Sequence, residues 1–279
     1  MNNNSHFSYI TYLCHNRSER LKKYLQSKGF KIVEGNLTGG GNLNQKNKII
    51  EVLMKNEINN INVINFIENY DIQYTEQIGD SVIVKGTSDR NWIYISSKSE
   101  EELKILKNRL DCKDKNFVII EEWMIPILTR GNKVKWKLST MRLMLFNETS
   151  IAESKRSVSE LTINDSEFIY ENSAYKDFIS IQYINERITN GVSSCIYYLD
   201  KPIAWGITQD DGAIGFLHVL PEHRKMGYAR AVMIDLIKKV RDENKIPFVH
   251  IEEKNEKSMR LAMGLGFKKD KVVSWFEIE

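Results

Sequence analysis

The stretch 218-HVLPEHRKMGYARAVMIDLIKK-239 joins an apolar run to a helix through a short basic turn. On its far side Val232, Leu236 and Val240 recur at helical spacing, with Met233 and Ile237 beside them. That pattern predicts an amphipathic helix. On its near side 213-AIGFLHVL-220 has the composition of a buried strand. Pro221 and then 224-RKMGYA-229 lie between the two. A helix N-terminus offers unpaired N–H groups and the positive end of a dipole. Together these bind phosphate without help from side chains. Gly227 lets the backbone come close to an anion, and Ala229 leaves the next N–H unobstructed. Arg224 and Lys225 add charge-assisted contacts. The plainer alternative is a strand-to-helix turn in which the glycine is only convenient, and one hexapeptide does not choose between them.

Downstream, 247-PFVHIEEKNEKSMRLAMGLGF-267 repeats the strand-then-helix order, with Gly264 and Gly266 marking the helix end. The closing 267-FKKDKVVSWFEIE-279 is a strand or hairpin. Upstream, 165-DSEFIYENSAY-175 and 178-FISIQYINERITNG-191 are helices. Then 193-SSCIYYL-199 and 203-IAWGITQ-209 are strands, separated by the turn signals DKP and followed by DDG. The polar, aperiodic segment 147-NETSIAESKRSVSE-160 sets a domain boundary, with residues 1–150 on one side and 151–279 on the other.

The first domain is also a mixture of strands and helices. Residues 5–34 suggest a helix and then the short strand 29-GFKIVE-34. Gly39, Gly40 and Gly41 fall in a connector that lacks the lysine and Ser/Thr of a phosphate loop. Next come two helical patterns, 49-IIEVLMKN-56 and 62-NVINFIENY-70. Strands follow at 80-DSVIVKG-86, 91-NWIYISS-97 and 116-NFVIIEE-122, with one or two more in 134-VKWKLSTMRLMLF-146. The helix 99-SEEELKILKNRL-110 opens on a serine cap and acids and ends on bases.

The composition narrows the function classes. Forty basic and 37 acidic residues give a net charge of +3, spread along the chain. No basic stripe points to nucleic acid, and no polybasic anchor or long apolar run points to a membrane. Cys14, Cys112 and Cys195 are far apart, with no CxxC pair, so neither a disulfide framework nor a metal site is expected. With no secretory leader pattern at the N-terminus, the expected location is cytoplasmic.

Two ordered motifs at this separation resemble the GNAT superfamily of acyl-CoA-dependent N-acyltransferases. Its pyrophosphate loop, Arg/Gln-x-x-Gly-x-Gly/Ala, is matched by Arg224, Gly227 and Ala229, and its later strand–Asn–helix element by Asn255, Ser258, Gly266 and Phe267. The resemblance covers roughly residues 160–279. Within the superfamily, 247-PFVHIEEKN-255 and the terminal SWFEIE look like the glycine N-acyltransferase-like branch. The fold it implies is α/β (α+β), a GNAT fold with a splayed central mixed sheet, preceded by a degenerate second copy that lacks the coenzyme loop.

The resemblance implies acetyl-CoA, or another short acyl-CoA, as co-substrate, with no metal. The coenzyme would lie between two diverging strands, against the backbone of Leu217, His218 and Val219. Its pyrophosphate would rest on Arg224, Lys225, Met226, Gly227, Tyr228, Ala229 and Arg230, and Asn255 and Ser258 would contact it or hold the strands apart. A small primary amine, with amino acids among the acceptors, would attack the thioester directly. Asn172, Ser173 and Tyr175 fall where the family's early helices shape the acceptor pocket. A second copy of the chain, as a homodimer, is a further partner left open.

The catalytic groups are less well marked. His250, mid-strand, is the first choice for a base, on equal terms with a structural histidine, and Glu252 could act through water. The family's usual base positions hold Ala213 and Gly215, and its usual tyrosine acid is replaced by Ala262. These three residues keep a second function in view, a non-catalytic acyl-CoA-binding or sensing module.

Overall fold

In the computed structural model the described residues are 9–11, 31–33, 41–146, 148–154 and 156–279, with side chains from residue 46 onward. Tyr9–Thr11 (β1) pairs in parallel with Lys31–Val33 (β2). Residues 9–11 are therefore a strand and not part of the helix expected over residues 5–34; Ile10 and Thr11 are β-branched and favour that state. The rest of that expected helix, with Cys14, Gly39 and Gly40, lies outside the described residues. Gly41 does not continue a connector. It begins α1 (Gly41–Met54), which buries Ile49, Ile50 and Leu53 in its second half.

Then follow α2 (Glu57–Asn69), β3 (Ile72–Ile78), β4 (Ser81–Thr87), β5 (Asn91–Ser96), α3 (Glu100–Lys107), β6 (Asn116–Glu121), the short α4 (Ile125–Leu128) and β7 (Val134–Met144). The second half supplies α5 (Ser166–Glu171), α6 (Ile181–Asn190), β8 (Ser193–Tyr198), β9 (Lys201–Thr208), β10 (Ile214–Val219), α7 (Tyr228–Asp242), β11 (Phe248–Ile251), α8 (Glu256–Gly264) and β12 (Lys268–Ile278). β7 and β12 are each one unbroken strand of 11 residues.

Ten strands form one sheet in the order β3-β4-β5-β6-β12-β7-β11-β10-β9-β8. The order is the same from either end when β3 to β7 are matched with β8 to β12. The two parallel pairs, β5 with β6 and β10 with β11, occupy matching places. Each half gives its last strand to the other: β12 pairs with β6, β7 pairs with β11, and the two run antiparallel at the centre. The ten-stranded sheet therefore has pseudo-twofold symmetry.

The largest apolar cluster joins α7 to β9, β10 and β11 through Val232, Leu236, Val240, Ala204, Ile214, Val249 and Ile251. Fully burying each Leu- or Val-sized side chain contributes about 1.5–3 kcal/mol. At Gly206 on β9 the helix packs close, since a Cβ there would stand 2.7 Å from Leu236 Cδ1.

On the other face α2 is buried along Asn60–Ile67, and it carries asparagines among its apolar residues. Asn62 and Asn65 donate to Asp211, in the β9–β10 turn, at 2.6 and 3.0 Å. Ser88 of the β4–β5 turn donates to Asp210 at 2.6 Å, so the matching turns of the two halves meet. Burial, and then the neighbouring Asp211, push the Asp210 carboxyl well above the ordinary range. Burial also opposes ionisation of Asp211, but hydrogen bonds and charge from His250 outweigh it and hold that carboxyl low. A raised folded-state pKa contributes stability at low pH that is lost as the pH climbs through the raised value. We therefore expect Asp210→Asn to unfold at higher urea than wild type at neutral pH, with the difference shrinking toward about pH 4, the ordinary aspartate range. Equal midpoints at pH 7 would show that the carboxyl is ionised without cost.

Candidate functional site

The site is built where β10 and β11 part. They pair only at Ile214↔Val249. Beyond that point β10 bulges between Gly215 and His218, with Phe216 at φ 51°. The bulged strand keeps its pairing to β9 on one side and leaves a gap toward β11 on the other. Leu220 N–H bonds to Ile203 O on β9. By strand alternation the Leu217 and Val219 backbone groups then face the gap, and those of His218 face β9. The His218 ring stacks on Trp205 at 4.7 Å, and burial, then Arg224, lower its pKa.

At the end of the gap the chain turns through residues 224–227 into α7. Gly227 is the N-cap, in the left-handed region at φ 81°, and a Cβ built there would meet nothing within 4 Å. Its conformation favours glycine; the surrounding space does not demand it. Lys225 is also left-handed, at φ 64°. The helix ladder starts with Ala231 N–H to Gly227 O, so the N–H groups of Tyr228, Ala229 and Arg230 lie ahead of it.

Cations surround this N-terminus. Arg224 and Lys225 are exposed, and Arg224 Nε donates to Val219 O at 3.0 Å. Arg230 reaches Gly264 O at 3.2 Å, tying α7 to α8. A fourth cation was not visible in the sequence pattern. Arg156, in the segment that joins the halves, donates to Met226 O at 2.6 Å and lies over the Tyr228 ring at 4.4 Å. Its basic signal, Lys155-Arg156, sits in an aperiodic stretch, and Met226 is 70 residues away.

The other expected residues fall in three places. Asn255 caps α8, its side chain accepting from Ser258 N–H at 3.2 Å, which gives that Asn–x–x–Ser spacing a structural reason. Tyr175 and Glu252 come together, with Tyr175 Oη donating to Glu252 Oε1 at 2.9 Å beside the end of β11. Lys254 pairs with the same carboxylate at 2.9 Å. The hydrogen bond from Lys254 is the main reason Glu252 is held below the ordinary range; burial, and then Glu252, push Tyr175 up to about 12. Asn172 instead bonds Phe168 O in its own helix at 2.8 Å, and Ser173 Oγ accepts from Tyr175 N at 3.1 Å.

His250 lies deeper on β11, with a side chain only 4% exposed. Asn62 Nδ2 stands 2.8 Å from His250 Nε2 and 2.6 Å from Asp211 Oδ2. Asn62 Nδ2 thus bridges the ring and the carboxylate, and His250 Nδ1 faces Thr140 Oγ1 at 3.4 Å. The ring also meets Trp275 edge-on at 4.9 Å. The structure thus places His250 in a polar network that neither Tyr175 nor Glu252 joins. Ala213 and Ala262 are buried at 1% and 2%, and neither carries a group that can move a proton.

Residues 196–276 match the FR47-like protein family. No curated protein matches the chain. Among solved structures, a Drosophila protein is 14% identical with a TM-score of 0.73, over 85% of this chain and 96% of its own. A GCN5-related N-acetyltransferase from Kribbella flavida is 10% identical with a TM-score of 0.53, over 79% and 94%. A tandem GNAT protein from the clavulanic acid biosynthesis pathway is 8% identical with a TM-score of 0.51, over 85% and 96%. The fold is a GNAT fold. Its splayed strands are β10 and β11, and the half that precedes them repeats their arrangement in β5 and β6. Among the described residues no helix is long and apolar enough to cross a membrane.

Proposed function

We propose that the chain is an acyl-CoA-dependent N-acyltransferase that moves an acetyl or short acyl group to a primary amine of a small molecule. The observation that carries this reading is the Gly227-capped N-terminus of α7, ringed by cations at the end of the β10–β11 gap. The site fits the coenzyme: the left-handed glycine leaves open space above it, and Arg224, Lys225 and Arg156 lie around it. The Leu217 and Val219 backbone would bind the pantetheine arm. Bound there, the coenzyme supplies the thioester that the amine attacks.

Glu252 is the base in this reading, taking the amine proton directly or through water. It is ionised, held by Tyr175 and Lys254, and stands at the open end of the strand on which His250 is enclosed. Tyr175, 45% exposed, forms the acceptor side. His250 acts from behind, fixing Asn62 and Asp211. The division near residue 150 then separates roles, a coenzyme-binding half and one without the loop, while β7 and β12 join them in one sheet.

The test is release of free CoA from acetyl-CoA across a panel of primary amines, amino acids included. Amine-dependent release that falls about a hundredfold in kcat for Glu252→Gln would support the assignment. Binding of acetyl-CoA without release by any amine would favour the non-catalytic module, which Ala213, Gly215 and Ala262 also fit.

A further inference from the structure

The first half contains an opening at the place that matches the coenzyme gap. β5 and β6 pair only at Ile93↔Phe117 and Tyr94↔Val118, and then part. A cavity of about 670 Å³ lies there, between the ends of these strands and the start of α2. That is within the usual range for small-molecule sites, roughly 300–1,000 Å³. The anion site of the other half has no counterpart. Ser99 caps the helix that follows β5, accepting from Glu102 N–H at 3.3 Å, and Glu100, Glu101 and Glu102 occupy its first turn. Three carboxylates repel a phosphate where the matching turn before α7 attracts one.

The cavity wall carries polar groups that the protein itself does not use. Among the described residues, the side chains of Asn56, Asn59 and Lys98 make no hydrogen bond or ion pair, and all three line the cavity. The other lysines at the rim are occupied, Lys271 by Glu121 at 2.6 Å and Lys55 by Asp80 at 4.0 Å. Asp270 also lines the cavity, and both of its bonds from buried Arg142 go to Oδ2, leaving Oδ1 open. Lys98 follows β5 and Asp270 lies on β12, and these strands flank β6 in the sheet. A free cation and a free carboxylate oxygen therefore stand on the two sides of the cavity, with amides beside them.

We infer that this cavity binds a small zwitterion of amino-acid type. Its carboxylate meets Lys98 and the Asn56 and Asn59 amides, and its ammonium meets Asp270 Oδ1. The site is separate from the coenzyme gap and stands whether or not the chain is an acyltransferase.

The experiment is thermal unfolding and calorimetric titration of the full chain with each of the free amino acids, and with the carboxamide of any that binds. At about 10 mM, at least one amino acid should raise the melting temperature of wild type, and its carboxamide should not. Lys98→Met and Asn59→Ala remove side chains with no internal partner, so both should fold as wild type does. Each should weaken binding by about tenfold or more. Gly227→Glu should leave it unchanged. The inference is overturned if no amino acid stabilises the chain, if binding survives Lys98→Met intact, or if Gly227→Glu abolishes it, which would place the ligand in the other half.

Discussion

Acetyl-CoA should raise the melting temperature of the wild-type chain and leave that of Gly227→Glu where it was. A ligand that binds only the folded state adds about 2.7 kcal/mol at a hundred times its Kd. For a chain of this size that is roughly a 5 °C shift or more. Gly227 is the N-cap of α7 at φ 81°, so any side chain there first incurs about 1–2 kcal/mol of backbone strain. The variant will therefore start from a lower melting temperature, and the informative quantity is the shift on adding ligand. A glutamate also sets a carboxylate over the N–H groups of Tyr228, Ala229 and Arg230, where a pyrophosphate would rest. Gly227→Ala separates the two effects. Its methyl group meets nothing within 4 Å, so it carries the strain without the charge. It should retain more of the shift than the glutamate variant. If wild type does not respond at all, the loop is only a turn and the proposed activity loses its main support.

This loop was legible because its signals are local. Six residues set the turn, and the buried face of α7 repeats within the next four turns. The strands β4, β5, β6, β10 and β11 were legible for the same reason, through short β-branched runs. β3 was missed, although Ile72, Tyr74 and Ile78 alternate along it, because Gln73, Glu76 and Gln77 make it polar. The exchange of β7 and β12 between halves left no local trace. The crossed partners appear only in the assembled ten-stranded sheet. His250 shows the same limit at the level of one side chain. Its strand could be read from the sequence, but Asn62, which closes over it, comes from a helix 188 residues away. A signal for that network was present. Asparagines at 59, 60, 62 and 65 are poor helix formers in an otherwise apolar helix, and Arg142 interrupts an apolar strand.

Arg142 should be the costliest single side chain to remove. It lies on β7 with a fully buried side chain. Its guanidinium donates to Asp270 on β12 at 2.8 and 2.6 Å, to Asn62 Oδ1 at 2.7 Å, and to the carbonyls of Ile58 and Asn59 at 2.9 and 3.2 Å. One side chain thus joins α2 to both exchanged strands. Arg142→Met keeps most of the volume but leaves a partly buried carboxylate, an amide oxygen and two carbonyls without their donor. Breaking one side of such a pair costs about 3–5 kcal/mol, which urea unfolding followed by circular dichroism will resolve as a lower midpoint. The double variant Arg142→Met with Asp270→Asn should recover part of that loss, because the stranded charge accounts for much of it. Gly227→Glu, by contrast, should unfold only slightly earlier than wild type. A loss below about 1 kcal/mol for Arg142→Met would mean that water enters through the cavity beside Asp270 and takes over the guanidinium's bonds. The two halves would then be held by the β7–β12 ladder and the apolar packing alone.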